Sequence, residues 1–206
     1  HGFRKTVILN KAIMQTDCDY LIFSDGDCIP RRDFVASHRK HASTGFFLSG
    51  GYFKLSMSAS KAIDDRAIKS NKAFEYHYLR EIGQPRTHKS LKLTAKGPLA
   101  DLLNVITPTS ASWNGMNSSG WREDILDANG FDERMQYGGE DRELGERLSN
   151  KGIKGKGIRY SAVCIHLDHE RGYVTKEAWE KNRRIRLNTR KHKLTRTSNG
   201  IRQDDI

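Results

Sequence analysis

Apolar positions along the chain switch between helical and strand spacing. Over residues 3–16, Ile8 with Ala12 and Leu9 with Ile13 form i,i+4 pairs, and Phe3, Val7, Asn10 and Met14 line another face. This predicts an amphipathic helix in which Asn10, set among apolar neighbours, needs a buried hydrogen-bond partner. Tyr20-Leu21-Ile22-Phe23 is a short apolar run that ends abruptly at Ser24-Asp25-Gly26-Asp27. It reads as a buried strand carrying two carboxylates to a pocket at its C-terminal end. Pro30 precedes a predicted helix from Arg31 to Ala42, and Gly45 to Leu55 reads as a strand kinked or bulged at Gly50-Gly51, a second pocket wall.

Residues 56–106 carry a weaker pattern. Ala59 to Tyr78 fits one or two helices, Gly83 to Ser90 a basic loop, and Gly97-Pro98 a break. The segment is expected to be a surface insertion, or a lid or acceptor-binding segment. From Thr109 the pattern sharpens: a strand at Ser110-Ala111-Ser112-Trp113, then a polar turn at Gly115 to Ser119. Trp121, Ile125 and Ala128 fall at i, i+4 and i+7, and Asn129-Gly130 makes a C-cap. A further helix follows Tyr137-Gly138-Gly139-Glu140-Asp141, with Leu144 and Leu148 on one face, and a strand runs from Ile158 to Ile165. Thr175 is placed to cap a last helix, with Val174 and Trp179 at the N′ and N4 staple positions.

Composition narrows the picture. The chain has 206 residues, 36 basic and 25 acidic, for a net charge of +11, and 36% are hydrophobic. One compact domain with polar appendages fits, and no apolar run is long enough to span a membrane. The start, His1-Gly2-Phe3-Arg4-Lys5, has neither Met nor a signal-peptide core, so the chain is expected to begin inside a larger fold. Cys18, Cys28 and Cys164 are widely spaced, which suits a reducing compartment better than a disulfide framework. Asn117-Ser118-Ser119 matches a glycosylation sequon, inert in a bacterial-type cytosol. Nine Lys or Arg lie between residues 181 and 202. They read as a solvated tail or as attraction to an anionic membrane surface. Nucleic acid is disfavoured because no stacking aromatics interleave with the charges.

Three clusters carry candidate chemistry. Asp25 and Asp27 are either a turn or oxygen ligands for a hard divalent cation. Asp141, near the start of its helix and on its core-facing side, is either a cap or a catalytic carboxylate, and the glycines before it would let a substrate approach. His166 and His169 flank an acid at a strand end, where imidazole plus carboxylate suits manganese. Arg4 is a solvated terminal charge or a contact to a phosphate or base.

Together these pieces resemble a family-2 glycosyltransferase of the GT-A fold, an α/β class with a three-layer α/β/α sandwich around a mixed sheet. The likeness runs from Gly2-Phe3-Arg4 to Asn10 and through Tyr20 to Pro30. It resumes at Gly115-Met116-Asn117 and continues by Gly130-Phe131-Asp132-Glu133 to Glu140-Asp141 and the histidines. The later part also resembles the C-terminal domains of galactosyltransferases and polypeptide N-acetylgalactosaminyltransferases. Residues 56–106 match nothing in that pattern, and the opening strand of the fold is missing. The resemblance implies residues 1–174 as an N-terminally incomplete transferase domain and 175–206 as a C-terminal helix and basic tail. It implies Asp141 as general base. Glu140, Tyr137, Gly139 and Asn117 would hold the acceptor, and Arg4, Asp25 and Asp27 the nucleotide sugar. Asp27 with His169 or His166 would bind the metal, Mn2+ or Mg2+. The implied reaction is inverting transfer from a nucleotide-diphosphate sugar, most simply a UDP-sugar, to a glycan or lipid-linked acceptor hydroxyl in cell-surface polysaccharide or glycan synthesis. A cytoplasmic location, peripheral to the inner face of the plasma membrane, is expected. These 206 residues alone are expected to be inactive and the parent chain active. The alternatives are a nucleotidyltransferase of similar fold and a basic nucleic-acid or membrane-surface binding module.

Overall fold

Five strands form one mixed sheet in the order β1-β4-β3-β5-β2. They are β1 (Tyr20–Phe23), β2 (Cys28–Pro30), β3 (Phe46–Lys54), β4 (Ser118–Trp121) and β5 (Lys154–His166). The computed structural model describes residues 3–170 and 172–202; Gly2, Arg171 and residues 203–206 of the expected tail lie outside the described residues. β4 runs antiparallel to both β1 and β3, β3 and β5 are parallel, and β2 is antiparallel to β5. It follows that β1, β3 and β5 point the same way. The turn after β1 and the end of β5 therefore meet at one edge, where ligands bind in such sheets.

The bulge expected at the paired glycines is present: the β3–β5 register shifts between Gly50 and Gly51. Glycine is required there because a Cβ on Gly50 would enter the Asn117 side chain, and one on Gly51 the Arg159 backbone. The strand expected at Ser110–Trp113 is irregular chain instead, and β4 begins only at Ser118. Trp113 is fully buried as a packing plug rather than a ladder member.

Helices cover both faces. On one, Ile13 of α1 (Lys5–Gln15), Ile125 of α8 (Arg122–Asp127) and Leu144 and Leu148 of α9 (Glu140–Asn150) pack with Phe23, Phe47 and Trp113. On the other, Phe34 of α2 (Phe34–His41) packs with Leu48, Ile158 and Cys164. Phe47 and Leu48 are adjacent in β3 and enter different clusters, as strand alternation requires. The helix predicted from Arg31 starts only at Phe34, because Cys28 to Pro30 is held as a strand on β5. In α1 the buried stripe is Thr6, Asn10 and Ile13, while Ile8 and Met14 are exposed.

Residues 56–106 fold as short helices: α3 (Met57–Ala62), α4 (Asp65–Lys69), α5 (Tyr76–Glu81), α6 (Leu91–Thr94) and α7 (Gly97–Ile106). Ala59, Ala73, Phe74, Leu79 and Leu93 bury a core against Phe53, Leu55 and Ile165. The segment, expected as a surface insertion or as a lid or acceptor-binding segment, carries its own apolar cluster packed on β3 and β5. Gly97-Pro98, expected as a break, opens α7, where proline at the start of a helix loses no hydrogen bond.

The last helix, α10 (Lys176–Lys191), is capped as expected, with Thr175 Oγ1 accepting from the Ala178 N–H at 3.1 Å. It lies along α9 rather than in solvent. Asn182 is fully buried and donates to the carbonyls of Gln136 and Gly138. Arg186 and Arg190 both pair with Glu146, at 2.5 and 3.0 Å.

Candidate active site

The carboxylates and imidazoles separated by more than a hundred residues in sequence converge on one cavity of about 510 Å³. β1 delivers Asp25 and Asp27 to its rim, and β5 ends in His166. The backbone fixes their meeting: Cys28 lies opposite His166 in the ladder, and the Leu167 N–H donates to the Asp27 carbonyl at 2.9 Å. Asp27 Oδ2 then sits 2.9 Å from His169 Nε2 and 3.4 Å from His166 Nε2. His166 is buried and its Nδ1 has no hydrogen-bond partner. Both histidines thus reach Asp27, where the sequence left the choice between them open.

Cys28 is the unforeseen neighbour. Asp27, Cys28 and His166 offer ligand atoms within 4.8 Å of one another. The Cys28 side chain, however, packs against the Phe34–Leu48 cluster and does not line the cavity, whereas Asp27, His166 and His169 do. Its thiol is held protonated by a hydrogen bond with Cys164, by burial and by the acids beside it. The cavity-facing set is therefore one carboxylate and two imidazoles.

The second acidic centre stands across the cavity. Gly138 and Gly139 have φ of +114° and +89°, a left-handed turn that aims the first residues of α9 inward. Glu140 is buried, and its Oε2 accepts the Gly138 N–H at 2.8 Å. Burial and the neighbouring Asp141 raise its pKa to about 7. Asp141 Oδ2 accepts the Gly115 N–H at 2.8 Å, while its Oδ1 is buried without a partner. A Cβ on Gly115 would come within 2.5 Å of Lys5 Nζ and 3.1 Å of the Asp141 carboxylate, so glycine gives both side chains room here.

Lys5 joins the two centres. Its Nζ is 2.5 Å from Asp25 Oδ1. Burial disfavours its ammonium, but Asp141, Asp25 and Glu140 outweigh that and raise its pKa. Arg4, the basic residue chosen from the sequence, is exposed at the start of α1 and does not line the cavity. The buried stripe Thr6-Asn10-Ile13 was the available signal, since it sets the helix rotation that turns Lys5 inward.

Tyr137 lines the cavity within an aromatic cluster. Its ring is 5.5 Å from Phe3 and 5.2 Å from Tyr173, which stacks on Phe3 at 5.2 Å. Gly139 is also at the wall, where a Cβ would meet Arg186 at 3.0 Å. Trp179, expected as a helix staple, instead covers Gly138 and lines the cavity with Arg186. The C-terminal helix α10 therefore contributes to the cavity wall.

Asn117, expected to hold the acceptor, is not in the cavity. It is fully buried, its Oδ1 accepts from His38 Nε2 at 2.9 Å, and its Nδ2 donates to the carbonyls of Gly51 and Ala162 at 2.7 and 3.0 Å. The side chain satisfies carbonyls opened by the β3–β5 bulge, a structural task. His38 beside it is kept neutral, its pKa pushed down to about 4 chiefly by burial.

Residues 106–170 match the family described as the N-terminal domain of galactosyltransferase. The matched stretch spans β4, α8, α9 and β5, and so includes Glu140, Asp141, His166 and His169. It identifies a glycosyltransferase-like domain in this chain. No curated protein matches. Among solved structures, a similar one is the mannosyltransferase PcManGT from Pyrobaculum calidifontis in complex with GDP-Man and Mn2+. The identity is 15% and the TM-score 0.47, over 82% of this chain and 38% of that one. The chain thus spans well under half the length of that mannosyltransferase.

Proposed function

We propose that this chain carries the catalytic face of an inverting glycosyltransferase that moves a sugar from a nucleotide-diphosphate sugar to an acceptor hydroxyl. One observation carries the reading: two acidic centres of different character face each other across a single cavity. One is a carboxylate beside two imidazoles. The other is a carboxylate pair held by backbone amides, with Lys5 between the two centres.

The donor set of Asp27, His166 and His169 fits a divalent cation, and its nitrogen content favours manganese over magnesium. The unpartnered, buried Nδ1 of His166 and the approach of both rings to a single carboxylate oxygen support that fit. A cation there would neutralise the diphosphate of the departing nucleotide. Asp25 holds the ribose of the donor, and Lys5 Nζ, 2.5 Å from Asp25 Oδ1, keeps that carboxylate in place. Asp141 takes the proton of the acceptor hydroxyl. Its Oδ2 is anchored by the Gly115 amide, which leaves Oδ1 to accept. Glu140 orients the acceptor, and the Phe3–Tyr137–Tyr173 cluster offers an apolar face to a sugar ring.

The test uses the protein with manganese and a panel of nucleotide sugars. A positioned general base contributes about 10² to 10⁴-fold, so Asp141→Asn is expected to lose turnover by that factor while calorimetry shows unchanged donor affinity. Asp27→Ala is expected to weaken manganese and donor binding together. Near-normal turnover in Asp141→Asn would refute the base assignment, and release of a sugar 1-phosphate instead of a nucleoside diphosphate would point to nucleotidyl transfer.

A further inference from the structure

α7 leaves an apolar stripe uncovered. Leu99, Leu102, Val105 and Ile106 are 50%, 55%, 83% and 59% exposed. They fall at i, i+3, i+6 and i+7, within an arc of about 120°. The opposite side is fixed to β5: Ala100 is buried, Asn104 Nδ2 donates to Ser161 Oγ at 2.7 Å, and Asn104 Oδ1 accepts the Tyr160 N–H at 2.9 Å. The helix cannot roll its apolar face inward without giving up those bonds. Scattered exposed leucines need no explanation, but a contiguous stripe on an anchored helix marks a contact surface.

The charge beside the stripe identifies the partner. Between residues 82 and 100 the chain holds Arg86, Lys89, Lys92 and Lys96 and no acid. Arg86, Lys89 and Lys92 line a cavity of about 190 Å³ with Tyr52. None of the four has a carboxylate in ion-pairing range among the described residues. Asp101, the acid of α7, is already neutralised by Lys40 at 2.8 Å and faces His41 at 3.3 Å. α6 leads directly into α7, and Arg31 clamps the junction by donating to the carbonyls of Ala95 and Ser161 at 3.2 and 2.7 Å. The stripe and the cationic cavity thus belong to one rigid unit. A second copy of the chain on this face would bring like charges together. On the basic helix α10, Arg186 and Arg190 are engaged by Glu146, which leaves Arg183 and Arg184 among the competing cations that the test must separate.

We propose that this unit docks the protein on an anionic lipid bilayer. The α7 stripe enters the headgroup boundary, and Arg86, Lys89 and Lys92 take headgroup phosphates. No helix among the described residues is long and apolar enough to cross a membrane, so this is contact in the interface plane.

Vesicle flotation of the full chain tests it, with phosphatidylcholine alone and with phosphatidylserine added. Binding is expected only with the anionic lipid, and to weaken as salt rises. Leu102→Glu/Val105→Glu and Arg86→Glu/Lys89→Glu are each expected to weaken it at least about tenfold, with unchanged thermal melts because all four side chains are exposed. Two outcomes overturn the proposal. One is binding that survives both pairs but is lost on Arg183→Glu/Arg184→Glu, which assigns the contact to α10. The other is no vesicle binding together with a solution dimer that Val105→Glu dissociates, which assigns the stripe to a second copy.

Discussion

Replacing Glu140 by glutamine isolates the electrostatic cost of placing a second carboxylate next to Asp141. Glutamine keeps the shape and can still accept the Gly138 N–H, so the change removes the charge and little else. In the folded chain the Glu140 pKa stands at about 7, against 4.5 unperturbed, because the group is buried beside Asp141. The native side chain therefore keeps its proton over a range where the unfolded one has released it. Its contribution to stability is greatest below about pH 4.5, falls as pH rises toward 7, and is flat above. At 1.36 kcal/mol per pH unit the full loss is at most about 3 kcal/mol. Glu140→Gln is accordingly expected to be more stable than the parent by about 3 kcal/mol at pH 8, and by less than about 1 kcal/mol at pH 5. Urea denaturation at both values, read by far-UV circular dichroism, measures the difference. Parallel stability profiles for parent and variant between pH 5 and 8 would refute the reasoning, since Glu140 would then ionise in the fold as easily as in the unfolded chain.

Two further predictions concern the scaffold. Asn10 donates to Phe131 O and Glu133 Oε1 at 2.9 and 3.0 Å and accepts from the Phe131 N–H at 2.8 Å, so Asn10→Ala is expected to cost about 2–4 kcal/mol in denaturation experiments. Arg147 is fully buried and pairs with buried Glu143 at 2.8 Å, so Arg147→Met alone is expected to cost about 3–5 kcal/mol by stranding that carboxylate. Adding Glu143→Leu should return part of that loss and no more, because the Gly130 carbonyl that Arg147 serves is left unpaired and the Ala128 carbonyl keeps only the Thr197 N–H at 3.4 Å. Full additivity of the two single changes would contradict a coupled pair.

Much of the site was legible because its residues sit where local rules are strong. An apolar run ending in Asp25-Gly26-Asp27, paired glycines before Glu140-Asp141, and histidines closing a strand each mark an element end from a few neighbouring residues. Asn10 was legible as a buried polar group in need of a partner, though its partner at residues 131–133 was not. Lys5 was hidden because the rotation of α1 follows Thr6 and Asn10, not the exposed Ile8 and Met14. Asn117 misled because its position in the Gly115-Met116-Asn117 turn says nothing about which way it faces. It turns toward the carbonyls at the Gly50-Gly51 bulge. Residues 56–106 were hard to read because four of their five α-helices are only four to six residues long, under two turns, and are stabilised by packing on β3 and β5.

The sequence by itself determined where strands end, where helices are capped, and which acids and imidazoles stand at those ends, since these depend on backbone geometry over a few residues. Only the tertiary structure decided that Asp27 meets both His166 and His169, that Lys5 rather than Arg4 bridges the acidic centres, and that Trp179 and Arg186 close the wall. Those outcomes depend on sheet order and helix rotation, which are set by which buried surfaces fit together across the whole chain.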